Sequence, residues 1–134
     1  YAEAVFKYLG GADITSMEFP MSARAAASKT RQRAGMPDFE QGMDANTFWT
    51  KLCNERFVEL AFEGHRFWDV RRWKEADKYF KNIVEMKLVK EADGSITYVR
   101  KNVSRQWDDK MYLFPIPQSE RSKNPNLTQN PGWE

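Results

Sequence analysis

The sequence is poor in the residues that staple a chain, ligate a metal or anchor in a bilayer. One cysteine, Cys53, and one histidine, His65, stand among 134 residues. A single thiol excludes an internal disulfide framework and any zinc cluster built on cysteines, since both need at least two. No run approaches the roughly 18 to 20 consecutive apolar residues of a membrane-spanning helix, and no charged-then-apolar leader opens the chain. No charge of one sign dominates either. The 21 Lys and Arg are scattered among 19 Asp and Glu, for a net charge of +2, which leaves no electrostatic footprint for nucleic acid. The length fits one ordinary domain.

Bulky side chains, in contrast, are plentiful. Nine Phe, five Trp and five Tyr are enough either to fill a core or to line a flat polar ligand. Residues 1–9 place Tyr1, Ala4, Val5, Tyr8 and Leu9 at helical spacing before Gly10-Gly11, with no capping residue in front. The chain is therefore expected to start inside a helix and to be a piece of a longer protein. A second helix is expected over 23–33, after Pro20 and Ser22 and before Gly35 and Pro37. A third is expected over 47–63, capped by Asp44 or Asn46, with Trp49, Leu52, Cys53, Leu60 and Ala61 on one stripe and Gly64 to turn the chain. In that apolar stripe Cys53 reads as a small buried residue and not as a reactive thiol. A fourth helix is expected over 65–82, with Trp73, Ala76 and Phe80 at helical spacing.

Beyond residue 82 the pattern changes. Asp93-Gly94 between β-type runs predicts a hairpin with strands at about 84–90 and 96–101. Pro115, Pro117, Pro125 and Pro131 each lack a backbone donor, so the tail is expected to be irregular, with a short helical turn near 118–122. The expected fold is mainly α, with helix hairpins over 1–82 and a small β-hairpin and irregular proline-rich tail over 83–134. No internal period marks a repeat.

The segment 55–73, ERFVELAFEGHRFWDVRRW, packs acids and bases among aromatics more densely than any other part of the chain. On a helix Glu55 and Glu59 share a face, as do Glu59 and Glu63, while Arg56 and Glu59 lie one turn apart. After Gly64, Asp69 stands at similar offsets from His65, Arg66, Arg72 and Trp73. Paired carboxylates with a nearby histidine suggest general acid and base chemistry. Glycosidase carboxylates, however, face each other across a substrate at roughly 5 to 9.5 Å, usually from separate elements, and acids on one helical turn with interleaved arginines suit that poorly. His65 and Asp69 alone fall short of the three or four ligands a metal needs, and arginines nearby repel a cation. The reading favoured by the spacing is a structural charge network of Glu55, Arg56, Glu59, Glu63, Gly64, His65, Arg66, Asp69, Arg72 and Trp73 that locks two helices around Gly64. No catalytic residue, metal or cofactor is called for.

The same segment resembles the most recognisable block of the SusD/RagB family, an ER-x-x-EL-x-FEGHR-(F/Y)-x-D-(L/V)-(R/K)-RW run. Here it reads Glu55-Arg56, Glu59-Leu60 and Phe62-Glu63-Gly64-His65-Arg66-Phe67-Trp68-Asp69-Val70-Arg71-Arg72-Trp73. Three further blocks occur in the family's order. Tyr1-Ala2-Glu3-Ala4 resembles its YAEA helix opening, and Arg31-Gln32-Arg33-Ala34-Gly35-Met36-Pro37 resembles the R-x-RAG-(M/L/V)-P helix end. Tyr112-Leu113-Phe114-Pro115-Ile116-Pro117, Glu120 and Asn124-Pro125-Asn126-Leu127-Thr128-Gln129-Asn130-Pro131-Gly132 resemble the terminal PIP…E…NP-x-L-x-QNPGY, with Trp133 where Tyr is common. The likeness covers nearly the whole chain but only the carboxy-terminal part of the family pattern. Cys53 does not match the lipid-bearing cysteine of the family's leader.

The resemblance implies a scaffold of tetratricopeptide-like helix hairpins, tethered by lipid to the outer face of a Bacteroidetes-type outer membrane. It implies a non-catalytic glycan or nutrient binder that hands oligosaccharides to a SusC-like TonB-dependent transporter. A structural or protein-interaction helix-hairpin module is the alternative, and a glycoside hydrolase a third class. Ligand contacts in the family lie largely in variable loops, so no sugar-binding residue is assigned. Of the aromatics, Trp49 and Trp73 follow helical stripes and read as core. Trp68, Trp107 and Tyr112 are left open.

Overall fold

A computed structural model describes residues 1–134, and the chain divides into two units, Tyr1–Glu63 and Gly64–Glu134. The first holds three helices, α1 (Ala2–Leu9), α2 (Ala23–Arg33) and α3 (Ala45–Glu59). Local chemistry sets their ends. The Ser22 side chain accepts the Ala25 N–H at the start of α2, and Asp44 accepts the N–H groups of Asn46 and Thr47 at the start of α3, satisfying backbone donors that have no partner inside the helix. At the end of α2, Gly35 adopts a left-handed φ of 68°. That turn lets the Met36 N–H reach the Arg31 carbonyl at 2.9 Å and the Gly35 N–H reach Gln32 at 3.0 Å, the pairing of a Schellman motif.

The core of this unit consists of Val5, Phe6, Ala12, Ala23, Ala27, Phe39, Phe48 and Leu52. Phe48 is fully buried, with the rings of Phe6 and Phe39 at 5.4 and 5.7 Å. The buried face of α1 is Val5 and Phe6, and Tyr8 is exposed. The stripe expected from Tyr1, Ala4 and Tyr8 is thus rotated by about one position, because Phe6 fills the space beside Phe48. Cys53 is buried, as its setting predicts. Helix α3 ends at Glu59, short of the expected 63. The chain leaves the helix at Leu60, and Phe62 takes a φ of 66°, a conformation a bulky residue seldom adopts.

The second unit begins with α4 (His65–Arg72) and α5 (Ala76–Phe80). One continuous helix was expected over 65–82, and the chain breaks it at Lys74, whose φ is 57°. There the Lys74 N–H bonds to the Arg71 carbonyl and the Glu75 N–H to Val70, both at 3.0 Å. This is again a Schellman ending, with lysine in the place glycine usually takes. Strands β1 (Asn82–Lys90) and β2 (Ile96–Ser104) form the hairpin, longer than expected at both open ends and registered from Asn82↔Ser104 to Lys90↔Ile96. A 3-10 turn (Asp109–Tyr112) and α6 (Gln118–Lys123) lie in the tail, α6 one residue longer than the expected helical turn. The architecture is mainly helical with a small β-hairpin.

Side chains stitch the tail together where proline removes backbone donors. Gln129 accepts the Ile116 N–H at 2.7 Å and donates to the Ile116 carbonyl at 3.0 Å. Asn130 donates to the Phe114 carbonyl at 2.6 Å, and the Trp133 indole donates to the carbonyls of Lys110 and Leu113. The Gln129-Asn130-Pro131-Gly132-Trp133 run thereby holds the Leu113–Pro117 stretch by its backbone.

Candidate functional site

The acid-rich segment 55–73 spans the end of α3, the turn to Gly64 and all of α4. Its two candidate acids, Glu55 and Glu59, do not face a cleft together. Each pairs with an arginine of α2, Glu55 with Arg31 and Glu59 with Arg33. Arg31 is the better-buried partner. Its Nε donates to the Pro37 carbonyl at 2.6 Å and its guanidinium lies 4.7 Å from the Phe39 ring, so one side chain ties the end of α2, the following loop and α3. A planar guanidinium with a fixed fork of donors suits this role, and lysine would not reproduce it. Arg31 and Arg33 were missed as members of the charge network. They stand 24 and 26 residues from their partners, and the alternation R-x-R beside Gly35 was the available signal.

The other expected members of the network are placed as follows. Arg56 lies on α3, half-buried, and Glu63 is exposed in the turn. Gly64 caps α4 with a φ of 77°, and His65 is the first residue of that helix. Arg66 lies 4.0 Å from the Tyr79 ring and 5.7 Å from Trp73. Asp69 is buried and accepts from the Arg72 guanidinium at 2.8 Å. Trp73 ends α4, with Arg72 5.6 Å from its ring. No three His, Cys, Asp or Glu side chains come together in a way that could hold a metal ion, and no helix is long and apolar enough to cross a membrane.

Gly64 itself yields a test. A Cβ built there meets no atom within 4 Å, so only the left-handed backbone resists substitution. Non-glycine residues in that region cost about 1–2 kcal/mol. Gly64→Ala and Gly64→Val are both expected to destabilise by about that amount, valine more because it is β-branched. Thermal melting of the two variants checks this, and melting unchanged from the parent would show that Gly64 does not need its left-handed turn.

The aromatics separate into two groups. Trp49 stacks on Phe6 at 5.6 Å and 12°, with the Lys7 ammonium 3.7 Å from its ring. Trp107 lies 5.7 Å from Phe80 and 5.1 Å from Tyr112, and the Tyr112 hydroxyl accepts the Ala76 N–H at 3.2 Å. These side chains are engaged within their units. Trp68 differs: it is 58% exposed. Its ring meets Phe67 at 5.1 Å and Phe114 at 5.8 Å. Beneath them the Arg71 guanidinium sits 3.5 Å from Phe67, near Phe80, Trp107 and Phe114. Burial there pushes the Arg71 pKa down from its ordinary value, because the rings displace water from the charge.

Comparison with known proteins places this arrangement. The SusD family model matches residues 1–133. The crystal structure of a SusD-like protein from Bacteroides fragilis superposes with a TM-score of 0.73 at 32% sequence identity, over 98% of this chain. The matched region makes up only 23% of that protein's chain, so the present sequence spans about a quarter of its length. No curated protein matches. The match over residues 1–133, together with a fold shared at 32% identity, shows that this chain belongs to the SusD/RagB family.

Proposed function

We propose that this chain is the carboxy-terminal quarter of a non-catalytic nutrient-binding lipoprotein on the outward face of the outer membrane. In this reading the whole protein binds oligosaccharides or related nutrients and passes them to a SusC-like TonB-dependent transporter. The observation that carries the reading is family membership over residues 1–133. The local geometry agrees with a supporting role for this part of the protein. Glu55 and Glu59, the residues a glycosidase would have used, are each engaged by an arginine of α2. The charge network of segment 55–73 is then architectural: it holds helices in register, and the affinity for ligand arises in other parts of the polypeptide through shape, stacking and hydrogen bonds.

The test is an oligosaccharide array probed with the polypeptide as its gene encodes it, with reducing-sugar release measured in parallel. Binding to at least one pool is expected, with no sugar release and no change on Glu55→Gln or Glu59→Gln. Sugar release abolished by either substitution would overturn the non-catalytic reading. Absence of binding to every pool, with the transporter still co-purifying, would favour a protein-interaction module instead.

A further inference from the structure

The hairpin is a two-stranded sheet, β1 beside β2, so each strand keeps one edge without a partner. The ends of the ladder show which backbone groups lie on the free edge of β1. The Glu91 N–H bonds to the Ser95 carbonyl at 2.9 Å, and the Arg105 N–H bonds to the Lys81 carbonyl at 2.6 Å. Both bonds continue the register that pairs Asn82 with Ser104 and Lys90 with Ile96. In an antiparallel pair, residues that exchange bonds across the strands alternate with residues that do not. The odd-numbered residues of β1 therefore direct their backbone groups to β2, and Val84, Met86 and Leu88 direct theirs outward. Residues opposite each other share a face, so these three lie on one face with Ile96 and Tyr98, and all five side chains are exposed.

Natural sheets blunt such an edge with proline, a bulge, a very short strand or lysine. Strand β1 runs for nine residues without proline, and its register is unbroken. Lysine is the device that remains, and the effect of Lys87 depends on what it meets. The strand has nearly the same pattern in both directions about Met86. Laid antiparallel on a second copy with Met86 opposite Met86, it sets Glu85 against Lys87, Val84 against Leu88 and Ile83 against Val89. Sliding the copies by two residues sets Lys87 against Lys87 or Glu85 against Glu85, and like charges directly opposite are destabilising. Sliding them by one moves Val84, Met86 and Leu88 of one copy to the opposite face from those of the other. The free edge of β2 has no such complementarity, because pairing about its middle residue sets Arg100 against Arg100.

We propose that the free edge of β1 binds a second copy of this chain, antiparallel about Met86, to give a four-stranded sheet in the order β2, β1, β1, β2. The main-chain groups of Val84, Met86 and Leu88 supply the bonds, and the contact of Glu85 with Lys87, made twice, fixes the register. Each copy uses its β1 edge once, so the assembly closes as a two-fold dimer. The apolar faces of the two hairpins become one continuous surface. None of this depends on whether the protein binds sugar.

Sedimentation of the polypeptide as its gene encodes it, over a wide concentration range, tests the proposal. A reversible dimer is expected, half-formed between about 1 µM and 1 mM. Lys87→Glu sets Glu against Glu85 in the dimer, and Glu85→Lys sets Lys against Lys87; each is expected to weaken self-association by at least about tenfold. An equimolar mixture of the two variants restores opposite charges at every position, so its dimer is expected to regain the parent's affinity. That recovery also shows that both variants still fold. A parent that stays monomeric up to about 1 mM would overturn the proposal. So would a dimer indifferent to both substitutions, a mixture that fails to associate, or oligomers that grow beyond two copies. An array without a single binding glycan would leave the result standing.

Discussion

Phe48→Ala is expected to lower the stability of the first unit by about 3–5 kcal/mol. Phe48 is fully buried, touches Phe6 and Phe39 at ring distances, and faces the Arg24 guanidinium at 5.7 Å. Truncation removes apolar surface and also leaves a cavity that its neighbours fill poorly. Phe6 and Phe39 belong to α1 and to the loop before α3, so both would have to move for the gap to close. Phe48→Leu keeps most of the volume and is expected to cost less than half as much. Native-state hydrogen exchange over residues 1–63 checks both variants. Protection in α1 and α2 that survives Phe48→Ala unchanged would mean that the core is not centred on this ring.

The second large effect concerns a charge. Arg24 lies in the first turn of α2 with its side chain 8% exposed, and it bonds to the Asp13 carboxylate through Nε and Nη2, both at 2.6 Å. Its Nη1 is buried without a hydrogen-bond partner. Asp13→Ala would leave a buried cation with no counter-charge. Breaking a fully buried pair in this way costs about 3–5 kcal/mol. Because the Asp13 side chain is 60% exposed, water screens part of the interaction, and about 2 kcal/mol is the appropriate expectation. Asp13→Ala combined with Arg24→Leu removes the stranded charge along with its partner, and is expected to recover most of the loss. Urea unfolding of the single and double variants decides this: a double variant less stable than Asp13→Ala would show that the unpartnered Arg24 is not a stranded charge but still contributes to stability.

The same pair sets an acid limit. Hydrogen bonding from Arg24 holds the Asp13 pKa below its ordinary value. A carboxylate whose folded pKa is depressed adds stability that is fully present above the unfolded value of about 3.9 and is lost as pH falls through the folded value. The contribution therefore begins to fall below about pH 4 and is gone only once pH is below the depressed folded value, and Asp13→Asn is expected to flatten that limb of the stability profile. Asp44 and Asp93 are depressed by local hydrogen bonds from Thr47 and Ser95 and act in the same direction.

Where a helix end rests on short-range chemistry, the sequence was sufficient. Ser22 and Gly35 bound α2, Asp44 starts α3, and Asp93-Gly94 turns the hairpin. Each of these signals acts between residues no more than five apart, so it survives in any tertiary setting. The resemblance to the family rested on other stretches, residues 1–4, 31–37, 55–73 and 112–132. The breaks at Phe62 and Lys74 were not legible, because both put a side chain where glycine is the usual signal. Propensity favours helix through these positions, and the surrounding structure overrides it.

The charge network shows the division most clearly. That segment 55–73 gathers acids and bases among aromatics could be read from the sequence alone. That Glu55 and Glu59 look back to Arg31 and Arg33 on α2 was decided by packing, since helix periodicity orders neighbours three and four residues apart and carries no information across 24 residues. The same holds on α4, where Trp68 is exposed beside the buried Asp69. Hydrophobicity alone would have reversed those two. A short helix buries whichever face its neighbours cover, and in Gly64–Glu134 those neighbours cover an aspartate and leave an aromatic surface open.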